Sequence, residues 1–208
     1  SDIKTFSNYD VYGFTVITAI TSQNTKKVAS IEPISSKNLK SQLESILSDF
    51  QIDAVKIGMV YDSRIIRTIH SKLKNIKVPI VVDPIIKSTT GATLLKKNAL
   101  SDYKKMIVTL ADVITPNKYE AKVLSGVSNP SKAARKLQSM GAKCVIITGA
   151  TASKDKISDL ILEQNKEYKI SGKKIPITNH GSGCNYSASI AVSLAKGNTI
   201  NSAVKTAK

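Results

Sequence analysis

Soft metal ligands are scarce in this sequence: its 208 residues include two cysteines and two histidines, and they do not cluster. Cys144 and Cys184 lie far apart, and neither has a close partner at a metal-binding or redox spacing. A reducing, cytoplasmic compartment is the simpler expectation. His70 falls on a lysine-rich helical stretch and reads as solvated, while His180 precedes a glycine turn that it can help to shape. Aromatic residues make up only 5% of the chain, too few for a base-stacking platform. No apolar run approaches the ~20 residues of a membrane span, so no membrane partner is expected. Basic residues, in contrast, are plentiful. Lysine and arginine number 31 against 15 acids, a formal charge of +16. They are spread along the chain rather than gathered in one arm, which fits a solvated basic surface and no nucleic-acid partner.

Hydrophobic residues reach 41%, enough for the core of a single α/β domain. Strand-length apolar runs alternate with helical periodicity. Val11 to Thr21 opens with a mostly apolar stretch. Ser36 can cap a helix that places Leu39, Leu43, Ile46 and Leu47 on one face. Ala54–Gly58 reads as a buried strand, and Asp62 as the N-cap of a helix turning Ile65, Ile66, Ile69 and Leu73 inward. Strands follow at Pro79–Asp83, Val113–Thr115 and Cys144–Thr148, with helices at Leu100–Ile107, Tyr119–Leu124 and Ser131–Met140. Ile157–Leu162 and Glu167–Ile170, split by Gln164-Asn165-Lys166, form an expected antiparallel hairpin. A further helix starts near Cys184 and stops at Gly197, and Ser202–Lys208 is helical too. This alternation predicts a mostly parallel sheet with helices on both faces.

In such a sheet, ligands gather beyond the carboxyl ends of the strands. Gly181-Ser182-Gly183-Cys184 leads into a small-residue helix, so its backbone N–H groups can converge on an anion. The same glycines also suit a plain tight connection. Cys184 in the first helical turn is either a thiolate with lowered pKa or a small buried hydrophobe, while Cys144 is core. Asn117 and Glu120 share a face at a helix start, which suits Mg²⁺ held through water or, equally, a capping box. Asp83 ends a valine-rich strand before Pro84, so its carboxylate serves either a metal or a turn.

The order of these pieces resembles the hydroxymethylpyrimidine and phosphomethylpyrimidine kinases of thiamine biosynthesis, in the ribokinase-like superfamily. The resemblance rests on Asp2-Ile3-Lys4-Thr5-Phe6, Gly13 to Thr25 with its Thr21-Ser22-Gln23-Asn24-Thr25 segment, and Asp53 to Met59. It continues through Val82-Asp83-Pro84, Thr115-Pro116-Asn117 with Glu120, and Asn179 to Cys184, and so spans the whole chain. It implies a three-layer α/β/α sandwich, ATP and Mg²⁺ as cofactors, a small pyrimidine substrate and a homodimer. Gln23 would hydrogen-bond the aminopyrimidine and Met59 would pack on it. Gly181, Ser182 and Gly183 would form the anion hole, with Cys184 beside the reacting group. Asn117, Thr148 and Gly149 would meet the ATP phosphates, and Asp83 and Glu120 the metal. Pyridoxal kinase activity is the nearest alternative; a ligand-binding pseudokinase or sensor is a more distant one.

Two departures from the family pattern stand out. The family places a strand and a Gly-Ser-Asp-x-x-Gly-Gly-type segment before the Asp2-Ile3-Lys4 region, so residues 1–208 are expected to be one kinase domain lacking that strand, with room for a further C-terminal domain. Thr148-Gly149-Ala150 stands where the family reads Lys-Gly-Gly, which removes a cation from the phosphate region; Lys87 is a candidate replacement.

Overall fold

The computed structural model describes residues 1–174 and 181–208. Six strands form one sheet in the order β3 (Val55–Ile57), β4 (Ile80–Val82), β5 (Val113–Ile114), β6 (Cys144–Ala152), β7 (Lys156–Glu163) and β8 (Lys166–Lys173). Pairing is parallel from β3 to β6 and antiparallel from β6 to β8. A separate antiparallel ribbon joins β1 (Ala19–Gln23) to β2 (Val28–Pro33). Among the described residues no helix is long and apolar enough to cross a membrane.

Alternation along the strands divides the core into two layers. Ile57, Ile80, Val82, Ile114, Val145, Ile147, Leu160 and Leu162 face one cluster. Covering that side are α2 (Ser36–Asp49), α3 (Ser63–Leu73), α5 (Lys118–Ser125) and α6 (Pro130–Ser139), together with a continuous helical stretch from Lys97 to Leu110 that contains the single turn α4 (Leu100–Asp102). Val81, Val113, Cys144, Ile146 and Ile161 face the opposite way, toward α7 (Ser182–Ala195) and α8 (Ile200–Ala207). The short α1 (Asp2–Asn8) packs against α7. Full burial of one Leu or Ile contributes about 1.5–3 kcal/mol, so these two layers supply the main folding drive.

Local sequence explains most boundaries. The Asp62 carboxylate accepts the Arg64 and Ile65 amides, and Asn129 caps α6 just ahead of Pro130. The β7–β8 turn is closed by Gln164 and Asn165 at φ 46° and 67°, the left-handed pair that a two-residue hairpin of this twist requires. Other expectations shift. Ser35 rather than Ser36 caps α2, because its hydroxyl is the group that reaches the Asn38 amide. Residues 11–18 have no regular secondary structure; strand pairing begins at Ala19. The helix expected at Leu100–Ile107 is a mixture of 3₁₀, α and π turns from Lys97 to Leu110. Strand β6 continues past Thr148 through an irregularity in its register with β7, where Gly149 adopts φ 59° and donates its N–H to the buried Asp159 carboxylate at 2.8 Å.

Candidate functional site

The carboxyl ends of β3, β4 and β5 and the start of α7 meet at one edge of the sheet. Gly181 takes a left-handed φ of 87°, a conformation that glycine enters without strain, and so turns the chain into α7. The N–H groups of Ser182, Gly183 and Cys184 lie in the first turn, where helix geometry gives them no intrahelical acceptor. Among the described residues, nothing lies within 4 Å of where a Cβ at Gly183 would stand. The result is a positive, donor-rich helix start suited to an anion.

Asp83 lies immediately beyond β4 and beneath that helix start. It is buried, and its carboxylate accepts the Ser187 hydroxyl at 3.0 Å. The Lys56 ammonium stands 3.8 Å from the same oxygen, 2.7 Å from Asp2 Oδ1 and 3.2 Å from the Cys184 carbonyl. Burial raises the Asp83 pKa, and the opposing pull of Lys56, Ser187 and Cys184 does not cancel it. The Cys184 thiol moves the same way, to about 11, because burial and the Asp83 charge outweigh Lys56. Of the two alternatives for Cys184, the thiolate with lowered pKa is overturned: burial, with the neighbouring carboxylate adding to it, outweighs the helix field. Cys144 is fully buried and pushed up to about 12, as a core cysteine should be.

Asn117 and Glu120 form a reciprocal capping box at α5. The Asn117 side chain accepts the Glu120 amide at 3.0 Å, and the Glu120 carboxylate accepts the Asn117 amide at 2.9 Å. Glu120 is nonetheless more than a cap. It is buried, and desolvation raises its pKa to about 7, with the Asp83 charge adding to the shift. The Tyr103 hydroxyl has no hydrogen-bond partner among the described residues, and burial, with the Asp83 and Glu120 charges adding, raises its pKa well above the ordinary value. Lys87, Ser88, Thr89, Asn117, Tyr119 and Glu120 line a shallow depression of about 300 Å³, with the Lys87 ammonium 5.3 Å from the Tyr119 ring centre. Thr148 bridges to Asn117 across the strand ends, and Gly149 follows it. Lys87, the candidate replacement for the missing lysine, thus lies beside Asn117 and Glu120.

The remaining expected groups are placed differently. Met59 follows β3, is half-buried and accepts the Thr18 hydroxyl on its carbonyl at 2.7 Å. It lines, with Lys56, Gly58 and Cys184, one part of a cavity of about 620 Å³ that continues as an apolar trough beside β3, α2 and α7. Gln23 is exposed on the β1–β2 ribbon and is not among the residues lining that cavity. Asn179 and His180 lie outside the described residues. Sequence reasoning assigned no role to Lys56, Ser187 or Asp2. A signal for Lys56 was present, since it interrupts an apolar strand, whereas the partnership of Ser187 with Asp83 spans 104 positions and leaves no local trace.

Among the described residues no three His, Cys, Asp or Glu side chains gather as a metal cage. Two buried carboxylates at a strand edge suit instead a Mg²⁺ that arrives with its phosphates, since that ion usually takes one or two protein carboxylates and keeps several waters.

Comparison with known proteins places this geometry. A solved phosphomethylpyrimidine kinase from Clostridium difficile superimposes with a TM-score of 0.85 and 35% identity, covering 100% of this chain and 88% of that one. A Bacillus subtilis pyridoxal kinase solved as an ADP complex gives 0.88 and 30%, covering 99% and 81%. The architecture is that of a ribokinase-like kinase, a three-layer α/β/α sandwich. A curated relative, the hydroxymethylpyrimidine/phosphomethylpyrimidine kinase of Haemophilus influenzae, is 38% identical over 219 residues, covering 100% of this chain and 81% of the relative. The family model described as phosphomethylpyrimidine kinase matches residues 1–208, and the chain belongs to that family.

Proposed function

We propose that the protein transfers a phosphoryl group from ATP to the hydroxymethyl group of hydroxymethylpyrimidine, to the phosphate of its monophosphate, or to both, in the cytoplasmic synthesis of thiamine. The observation that carries this reading is the open first turn of α7 standing over buried Asp83 at the end of β4, in a chain of this family. Phosphoryl transfer needs positioning and charge stabilisation more than covalent chemistry, and a donor-rich helix start provides both. Gly181, Ser182 and Gly183 bind the transferring group, and Cys184 packs beside it as a neutral thiol. Asn117, Thr148, Gly149 and Lys87 face the nucleotide phosphates. Asp83 and Glu120 hold the hydration shell of Mg²⁺, which neutralises phosphate charge when bound. Met59 packs on the pyrimidine and Gln23 reads its ring edge from the ribbon. The assembly is a homodimer, for which the exposed side chains of Tyr12, Ile17 and Ile20 offer apolar surface.

Pyridoxal is the second substrate to test, because the Bacillus subtilis protein of similar fold is named a pyridoxal kinase. The full-length protein is incubated with ATP, Mg²⁺ and either hydroxymethylpyrimidine, its monophosphate or pyridoxal, and products are identified by mass. Phosphorylated pyrimidine supports the proposal. Turnover of pyridoxal alone assigns the second activity, and no product from any substrate leaves a binding protein.

A further inference from the structure

β3 reads Val55-Lys56-Ile57, and alternation sends Lys56 to the α7 face of the sheet. Its register partner is Val81, and that row continues across the sheet through Val113 to Cys144. Those three are completely buried, so a lysine has been set into a core row, where an unpaired charge would be strongly disfavoured. Its side chain is only 3% exposed. The ammonium donates to Asp2 of α1 at 2.7 Å and to the Cys184 carbonyl of α7 at 3.2 Å, and stands in ion-pair contact, at 3.8 Å, with Asp83 beyond β4. Two of its donors are thus engaged, and its charge acts on Asp83 through space in a poorly solvated setting. So little of it is exposed that it makes a poor direct phosphate ligand.

We propose that Lys56 is a positioning residue for phosphoryl transfer, its ammonium tying Asp83 to the first turn of α7 so that the acid and the anion-binding N–H groups keep a fixed spacing. The proposal rests on the kinase reading above. Ser187 makes a second tie between the same two elements, because its hydroxyl reaches Asp83 from one turn further along α7. Lys56 differs in also engaging α1 through Asp2, so the site edge is braced from outside the helix as well as within it. Small displacements at such a site fall on the rate of the chemical step more than on substrate affinity, because charge develops on the transferring group there while the alcohol and most of the nucleotide are held by other residues.

The test compares Lys56→Met, which keeps the stem and removes the charge, with Lys56→Arg, which keeps the charge and displaces the donors. Both are made in the full-length protein and assayed with ATP and whichever alcohol the wild type phosphorylates. The expected order of kcat is wild type, then Arg, then Met, with Met at least about thirtyfold down and both KM values within about twofold. Wild-type kcat in either folded variant overturns the proposal, as does a fall in kcat matched by equal rises in KM. Should the Met variant not fold, the Arg variant decides alone: reduced kcat at constant KM supports positioning, and unchanged kcat rejects it. Hydrogen exchange at residues 181–187 separates this proposal from the kinase reading. If the wild type has no kinase activity, that reading fails, and the tie itself stands only if Lys56→Arg speeds exchange there while leaving α8 unchanged.

Discussion

Glu120 does two things with one carboxyl group, closing the α5 capping box and lining the depression it shares with Lys87 and Asn117. Its pKa of about 7 in the fold, against about 4.5 for an unstrained chain, gives this a pH signature. Between those values the folded state binds more protons at this group than the unfolded state does, so its contribution to stability declines as pH rises from about 4.5 to about 7. Glutamine preserves the cap and cannot titrate. Glu120→Gln should therefore gain melting temperature relative to the wild type across that interval and hold a constant offset above it, as read by thermal melts at several pH values. A constant offset throughout would mean that folding leaves the Glu120 pKa unshifted. The cysteines give a second contrast. Cys184→Ser should lower kcat by about tenfold or less, since a neutral thiol and a hydroxyl differ mainly in size and hydrogen bonding. Cys144→Ser should act on stability instead, by about 1–3 kcal/mol, because a hydroxyl in that buried strand needs a partner. Paired turnover and melting measurements on both variants check this; equal loss of both properties at both positions would remove the distinction.

At the scale of elements, the sequence disclosed most of the frame. The runs at Ala54–Gly58, Pro79–Asp83 and Cys144–Thr148 are apolar and short, and the inward faces of α2 and α3 repeat at helical spacing, so pattern alone located them. What it did not disclose depends on partners distant in the chain. The β1–β2 ribbon alternates weakly and is mostly exposed, so no periodic apolar signal marked it. The continuation of β6 is set by Asp159 on β7, which holds Gly149 in its left-handed turn. The capping box at Asn117 was legible because it is local, whereas the cluster of Lys56, Asp83 and Ser187 is assembled from three elements. Gly149→Ala puts this to the test. The new Cβ would meet Ile157 at an ordinary 3.5 Å, so the penalty is backbone strain of about 1–2 kcal/mol, seen as a lower denaturant midpoint. An unchanged midpoint would show that the turn relaxes without loss.

For the whole molecule, a charge of +16 is the dominant global feature. Several of the ion pairs are surface contacts such as Lys40–Glu44 and Arg135–Glu167, which contribute little each, while the excess lysines repel one another at every separation within a Debye length. Raising NaCl from about 0.05 M to about 0.5 M should consequently raise the melting temperature, since screening relieves repulsion more than it weakens those pairs. A falling melting temperature would instead make the ion pairs the stronger term.

Helix α7 meets the sheet through Ile190 and Ala191, which pack in the layer of Val81, Val113, Cys144, Ile146 and Ile161, and through Ser187, which reaches Asp83. These side chains act as shims of fixed thickness, and they set the height at which the Gly181 turn stands above Asp83. Each added methyl group in that layer would lift one end of the helix and tilt the whole lever. The anion-binding edge would then move although no residue on it had changed. Tolerance to substitution should therefore follow side-chain volume along the underside of α7 rather than distance from the reacting group.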